Sequence, residues 1–213
     1  LSTQSGWEII EGEFNPQDIP TNGSNFLVGN GYLGYRGTCL EWGADRYTAC
    51  IVTDTYDQGQ GDWPELCNVP NGLFTRLICG GKTLSYFEGK TISSTRTLDL
   101  KRGLFSRDQT WQAHPGAPEL HIETQRLVSL ADVHTLALRF RLETNADQPL
   151  PLTLETGIDG QVWNLQGEHF RSLSADNLPN PGGDHDLLVM ETRTLDEDIH
   201  IAVVEGMQIT GPR

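Results

Sequence analysis

Four carboxylates, Asp54, Asp57, Asp62 and Glu65, crowd one glycine- and proline-rich stretch around Trp63. Two carboxyl groups on either side of a glycosidic bond, about 5–10 Å apart, are the chemistry of sugar cleavage. A tryptophan beside them offers a face on which a sugar ring stacks. Sequence spacing does not fix that separation, and acidic side chains are plentiful here, 29 against 15 basic. The cluster is read as a solvated acidic loop, and no catalytic residue is assigned. Trp63 is kept as a candidate contact for sugar or for another domain, because a loop of this composition leaves little to bury it. Trp7, Trp42, Trp111 and Trp163 are assigned to packing.

The six histidines, His114, His121, His134, His169, His185 and His200, are scattered, and none sits in a recognisable acid–base context. Asp184-His185-Asp186, and Asp196-Glu197-Asp198 with His200, have the side-chain types of metal ligands. Metal sites need fixed geometry, and acidic loops explain both runs, so no metal and no cofactor is expected.

Gly29-Asn30-Gly31-Tyr32-Leu33-Gly34 matches the dinucleotide fingerprint, with strand-like Phe26-Leu27-Val28 before it and Asp54 about 20 residues on. That fingerprint needs a helix opening at the third glycine, its N-terminus facing a pyrophosphate. Tyr35, Arg36, Gly37, Thr38 and Cys39 follow instead and continue no apolar helical stripe. No βαβ unit closes downstream. The stretch is read as a bend where backbones pack closely. Asn30, Tyr32 and Arg36 then brace the bend and face another domain, or touch sugar. Arg36 needs a carboxylate from elsewhere in the chain.

The elements that must carry these residues read as strands. Trp7 to Glu11 forms the first, and Asn22-Gly23 marks a tight turn. Tyr47 to Tyr56 suits a pleated surface, and Asp57 to Gly72 reads as one long ordered loop. Gly80-Gly81 joins Phe74 to Cys79 with Lys82 to Phe87 as a two-residue hairpin. Leu136, Leu138, Phe140 and Leu142 alternate with polar residues. Leu150, Leu152 and Leu154 repeat that period, as do Ile199, Ile201 and Val203, each run giving a strand with one apolar face. Asn177 to Asp186 is a loop. No window longer than about 12 residues carries a capped 3.6-residue period, so the class is all-β, an antiparallel sandwich.

The net charge of −14 argues against nucleic acid and anionic membrane surfaces as partners. Cys39, Cys50, Cys67 and Cys79 form no C-x-x-C pair and read as buried free thiols of a cytoplasmic protein, although two disulfides remain open. Asn22-Gly23-Ser24 is a glycosylation sequon that would stay bare there. The sequence opens on Leu1 and stops at Arg213 beside a strand. A piece of a longer chain, truncated at its C-terminal end, is therefore expected.

Five stretches carry a resemblance: Leu27 to Gly37, Glu65 to Leu73 around Asn68-Val69-Pro70-Asn71, Thr95 to Gly103, Leu127 to Asp132, and Ile158 to Asn164. Together they resemble the N-terminal domain of glycoside hydrolase family 65, which holds maltose, trehalose and kojibiose phosphorylases and acid trehalases. The resemblance implies that residues 1–213 form a large two-sheet super-sandwich like that of galactose mutarotase. It also implies an absent (α/α)6 domain that carries catalysis, with inorganic phosphate or water attacking the sugar. The chain's expected task is to pack on that domain, shape the active-site entrance and support a homodimer. A stand-alone carbohydrate-binding module and a mutarotase-like epimerase are the alternatives.

Overall fold

The computed structural model describes residues 1–183 and 185–211. Strand dominates. In chain order the first strands are β1 (Glu8–Glu11), β2 (Val28–Gly29), β3 (Leu33–Tyr35), β4 (Cys50–Asp57), β5 (Glu65–Val69), β6 (Asn71–Cys79) and β7 (Lys82–Thr83). Then come β8 (Lys90–Asp99), β9 (Leu104–Gln112), β10 (Glu119–Val128), β11 (Leu136–Thr144), β12 (Leu152–Asp159), β13 (Phe170–Leu178), β14 (Leu187–Thr194) and β15 (His200–Glu205). The helix α1 (Ile19–Asn25) follows a single 3-10 turn at Pro16–Asp18. The fold is all-β and antiparallel, as the patterning and the resemblance both required. The chain divides into two compact units, each built from two segments.

The first unit comprises residues 1–42 and 75–155. Its frame is a five-stranded sheet in the order β1-β8-β9-β10-β11. Side chains alternate across a strand, and here Phe105, Arg107, Gln109 and Trp111 of β9 share the buried face with Leu120, Ile122, Thr124, Arg126 and Val128 of β10. At one end that face is apolar. Leu77, Cys79, Leu84, Trp111, Ala113, Leu120 and Ile122 pack there, with Phe140, Leu142, Leu150 and Leu152 against them. The β6–β7 hairpin turns on Gly80 and Gly81, both at positive φ (56° and 75°), the geometry a two-residue primed turn demands. The second strand stops at Thr83, four residues short of the expected Phe87, because Ser85 Oγ accepts from Phe87 N and Glu88 N and turns the chain.

The helix α1 corrects the sequence reading. Asn22 and Gly23 lie inside it, not in a tight turn. Local propensity lost to tertiary bonding, for the buried Asn22 amide donates to Glu11 Oε1.

The second unit comprises residues 43–74 and the chain from Thr156 onward. In it β4 pairs with β5, and β13, β14 and β15 form an antiparallel sheet with β14 central. The expected loop from Asp57 to Gly72 shrinks to residues 58–64, since Glu65–Val69 is a strand and Asn71 opens another. Cys67, Asn68 and Val69 are buried in sequence, so this strand shows no alternation to read. Pairing of β4 with β5 is interrupted between Ile51 and Tyr56, where Asp54 takes a positive φ of 61°.

Candidate functional site

Two assemblies hold the residues singled out by the sequence, one in each unit. In the first unit, Gly34 lies within β3, paired with Gly29 of β2. The third glycine lies inside a strand and no helix opens at it, so the anion-binding helix of a dinucleotide site is not formed. Asn30, between these strands, uses its whole side-chain amide internally. Its Oδ1 accepts from Tyr32 N (2.9 Å) and Leu33 N (2.7 Å). Its Nδ2 donates to Ser129 O (2.6 Å) and Val133 O (3.0 Å). Two donors and two acceptor sites are all an asparagine amide has. Tyr32 meets His134 edge-on at 4.6 Å, and Arg36 donates to the Pro20 carbonyl.

The segment after the bend lies on the charged end of the same sheet face. Arg96, Arg107 and Arg126 come from three neighbouring strands, all almost fully buried. Arg96 Nη1 donates to Gly37 O (3.1 Å), and its Nε to Glu11, whose other oxygen binds Asn22. Arg107 Nη1 reaches both oxygens of Glu41 (2.8 and 3.0 Å). Arg126 Nη2 donates to the carbonyls of Arg36 (2.8 Å) and Thr38 (2.6 Å). Aromatic faces complete the surroundings, with the Arg126 guanidinium 4.4 Å from the Phe105 centroid and 4.7 Å from that of Tyr35. Burial brings the pKa of Arg126 down to about 10, so it stays a cation at neutral pH. Gly37 is the point of closest approach: a Cβ there would stand 2.1 Å from Phe26 Cβ. The arginine face fixes the bend's exit as a rigid structural element.

In the second unit, Asp57 and Glu65 of the acidic cluster come together around His169. The imidazole is fully buried. Its Nδ1 lies 3.0 Å from Asp57 Oδ2 and its Nε2 2.8 Å from Glu65 Oε1. An ionised carboxylate only accepts, so with both carboxylates ionised each ring nitrogen carries a proton. Asp57 Oδ1 also accepts from Asp196 N and Glu197 N, both 2.9 Å. Burial pushes its pKa up, but these N–H groups and His169 outweigh burial and leave the carboxyl below its ordinary value. Glu65 accepts from Leu165 N (3.1 Å) and Gln166 N (2.7 Å). The node thus ties residues 57–65 to two distant segments. Trp63, 54% exposed, stands on the loop it fixes, with Asp62 exposed beside it and Asp54 exposed on β4. Sequence reasoning noted Asp57, Glu65 and His169 separately; only the fold joins residues 112 apart.

The remaining candidates disperse. Among the described residues no three His, Cys, Asp or Glu side chains converge on a metal position. Asp198 pairs with Arg171 and Arg193, and His200 with Glu191. Asp184 lies outside the described residues. A pocket of about 220 Å³ is lined by Thr156, His185, Asp186, Leu188, Glu205 and Met207, and burial raises the Glu205 pKa. All four cysteines are free and buried. No helix among the described residues is long and apolar enough to cross a membrane.

With this geometry in view, comparison with known proteins is specific. Residues 9–213 match the family described as glycosyl hydrolase family 65, N-terminal domain. The 1,2-alpha-glucosylglycerol phosphorylase of Bacillus selenitireducens is 37% identical over 206 residues, covering 93% of this chain and 26% of that protein. The nigerose phosphorylase of Lachnoclostridium phytofermentans is 30% identical over 164 residues, covering 77% of this chain and 21% of that protein. A solved structure, a putative kojibiose phosphorylase from human microbiome, superposes with a TM-score of 0.77 at 21% identity, over 89% of this chain and 26% of its own. The last shows a shared fold. The chain spans about a quarter of the length of these relatives.

Proposed function

We propose that this chain, which belongs to the glycosyl hydrolase family 65 N-terminal domain family, is the non-catalytic β-sandwich part of a cytoplasmic phosphorylase acting on α-linked glucosides. In that reading a helical (α/α)6 domain of the same polypeptide carries the reacting groups and uses inorganic phosphate as co-substrate. The present chain packs on it and shapes the entrance to its active site. The observation that carries the proposal is the family match across residues 9–213, in a chain a quarter as long as its phosphorylase relatives. The side chains agree with it. Asp57 and Glu65 are both committed to a fully buried histidine, which leaves them no face for substrate. Asn30 and Arg36 brace the bend, Tyr32 stands at its surface, and Trp63 is presented outward for sugar or for the neighbouring domain.

The test is phosphorolysis. The purified 213-residue chain is incubated with phosphate and a panel of 1,2-α-glucosylglycerol, nigerose, kojibiose, trehalose and maltose. No glucose 1-phosphate should form, whereas the full-length polypeptide should release it from one member of the panel. Turnover by the isolated chain would refute the assignment. Trp63 bears on the rival reading as a carbohydrate-binding module: millimolar or tighter affinity for an α-glucobioside, lost in Trp63→Ala, would favour that role. Accelerated mutarotation of free glucose would favour the epimerase.

A further inference from the structure

On β15 the inward row of side chains ends in a carboxylate. Ile201, Val203 and Glu205 are half-buried and alternate with the exposed His200, Ala202 and Val204. Cross-strand partners share a face of a sheet, and the β14 partners of that row are Thr192, Met190 and Leu188. Glu205 thus stands opposite a leucine, on the face that buries Thr192. Its Oε2 is buried with no hydrogen-bond partner. Withdrawing a carboxylate from water without a partner costs free energy. Burial accordingly raises the Glu205 pKa, and the Thr156 hydroxyl, which favours the charged form, opposes it. A hydrocarbon here would serve the sheet better, so the acid serves something other than packing.

Glu205 lines the pocket of about 220 Å³ with Thr156, Leu188 and Met207, and the exposed His185 and Asp186 complete the lining. All six residues belong to the second unit. We infer that this pocket binds a neutral polyol the size of one sugar ring, anchored by hydroxyl donation to Glu205. Volume sets the size, since pockets for drug-sized molecules run about 300–1,000 Å³ and this one holds less. Charge excludes anions, because two carboxylates and no lysine or arginine line it. Geometry excludes a metal ion, because among the described residues no three ligating side chains converge. Among the remaining ligands, hydrogen-bond type decides. Glu205 and Asp186 accept, whereas Thr156 and His185 both donate and accept. A hydroxyl, itself donor and acceptor, answers all four; an ammonium accepts from none. Leu188 and Met207 supply an apolar wall for the C–H face of the ring. The site shares no residue with the His169 node or with the loop of Trp63, and it does not depend on the catalytic assignment above.

The experiment follows amide hydrogen exchange of the full-length polypeptide during titration with glucose, and separately with n-butylammonium. Glucose should slow exchange saturably at residues 185–188 and 203–207, by about tenfold once its concentration is ten times the Kd. Glu205→Gln keeps the shape but not the charge, and should raise the glucose needed by about fivefold, because a carboxylate accepts more strongly than an amide oxygen. Glu191→Gln, on the opposite face of the same sheet, should titrate as wild type. Should Glu205→Gln exchange faster throughout, and so fail to fold, Thr156→Val reads the same loss from another wall of the pocket. Sugar held elsewhere in the polypeptide would protect other amides and would not respond to Glu205→Gln. Unchanged exchange at the two segments, protection that never saturates, or a Glu205→Gln indistinguishable from Glu191→Gln would overturn the site. Protection by n-butylammonium and not by glucose would overturn the assignment to a polyol.

Discussion

Replacing Asp57 with asparagine tests whether the His169 node is an ionic clasp. The wild-type carboxylate receives three hydrogen bonds, from Asp196 N, Glu197 N and His169 Nδ1. Bonds to a charged group contribute about 1.5–3 kcal/mol each and neutral ones about 0.5–1.5. Asparagine has one acceptor oxygen, so Asp57→Asn weakens the two backbone bonds by about 1 kcal/mol each and loses the His169 bond outright, about 4 in all. At a urea slope of about 2 kcal/mol/M that lowers the unfolding midpoint by about 2 M at pH 7. The pH dependence is more diagnostic. The folded pKa of Asp57 lies below its ordinary value, so in acid the unfolded chain binds more protons at this group than the folded one. Its contribution is therefore complete above about pH 4 and is lost as pH falls through the folded value. Urea titrations of both proteins from pH 7 to pH 3, followed by tryptophan fluorescence, should show the gap narrowing toward acid. A gap of the same size at pH 3 as at pH 7 would refute the ionic account.

Other outcomes follow from the buried charges, the tight packing and the thiols. Glu41→Gln leaves the Arg107 guanidinium buried without its anion, both side chains being less than 5% exposed; calorimetry or urea melts should show a loss of about 3–5 kcal/mol. The double change Glu41→Leu with Arg107→Met should recover most of it, because the uncompensated cation is gone. Gly37→Ala drives a methyl into Phe26 and should destabilise by at least about 1–3 kcal/mol, read from the same melts. Burial pushes the thiols of Cys39 to about 11 and of Cys50 and Cys67 to about 12. A disulfide reagent at pH 8 should therefore leave the native protein unlabelled and titrate four thiols once it is unfolded in denaturant.

What the sequence disclosed divides along physical lines. Period-two alternation in Leu136 to Leu142 and the Gly80-Gly81 turn are local signals, and both elements form where expected. The glycine fingerprint was set aside because no helix could follow Gly34, and β3 occupies that position. Glu65–Val69 was hidden because a strand buried on both faces has no alternation. The helix at Ile19–Asn25 was hidden because Asn22 is stabilised by Glu11, which lies on another element. The arginine face does carry a sequence signal. Phe105, Arg107, Gln109 and Trp111 occupy one side of a strand, and two of these residues are polar. An inward-facing arginine of that kind implies a buried acceptor. The His169 node had no sequence signal beyond the crowding of Asp57 and Glu65, since the ring that joins them comes from the loop just before β13, more than a hundred residues later.

That separation has a temporal side. The second unit is begun at Gly43 and finished only after Thr156, so a ribosome delivers Asp57 long before the ring that binds it. At about 5–20 residues per second, the 112 positions between them take about 6 to 22 s. During that interval β4 and β5 are nascent strands whose Asp57 and Glu65 carboxylates lack their imidazole partner. The first unit's second segment, residues 75–155, is synthesised meanwhile and can already close its own hairpins. Slower translation through residues 75–155 would lengthen the exposure of an unfinished edge, and the yield of native protein should depend on that pace.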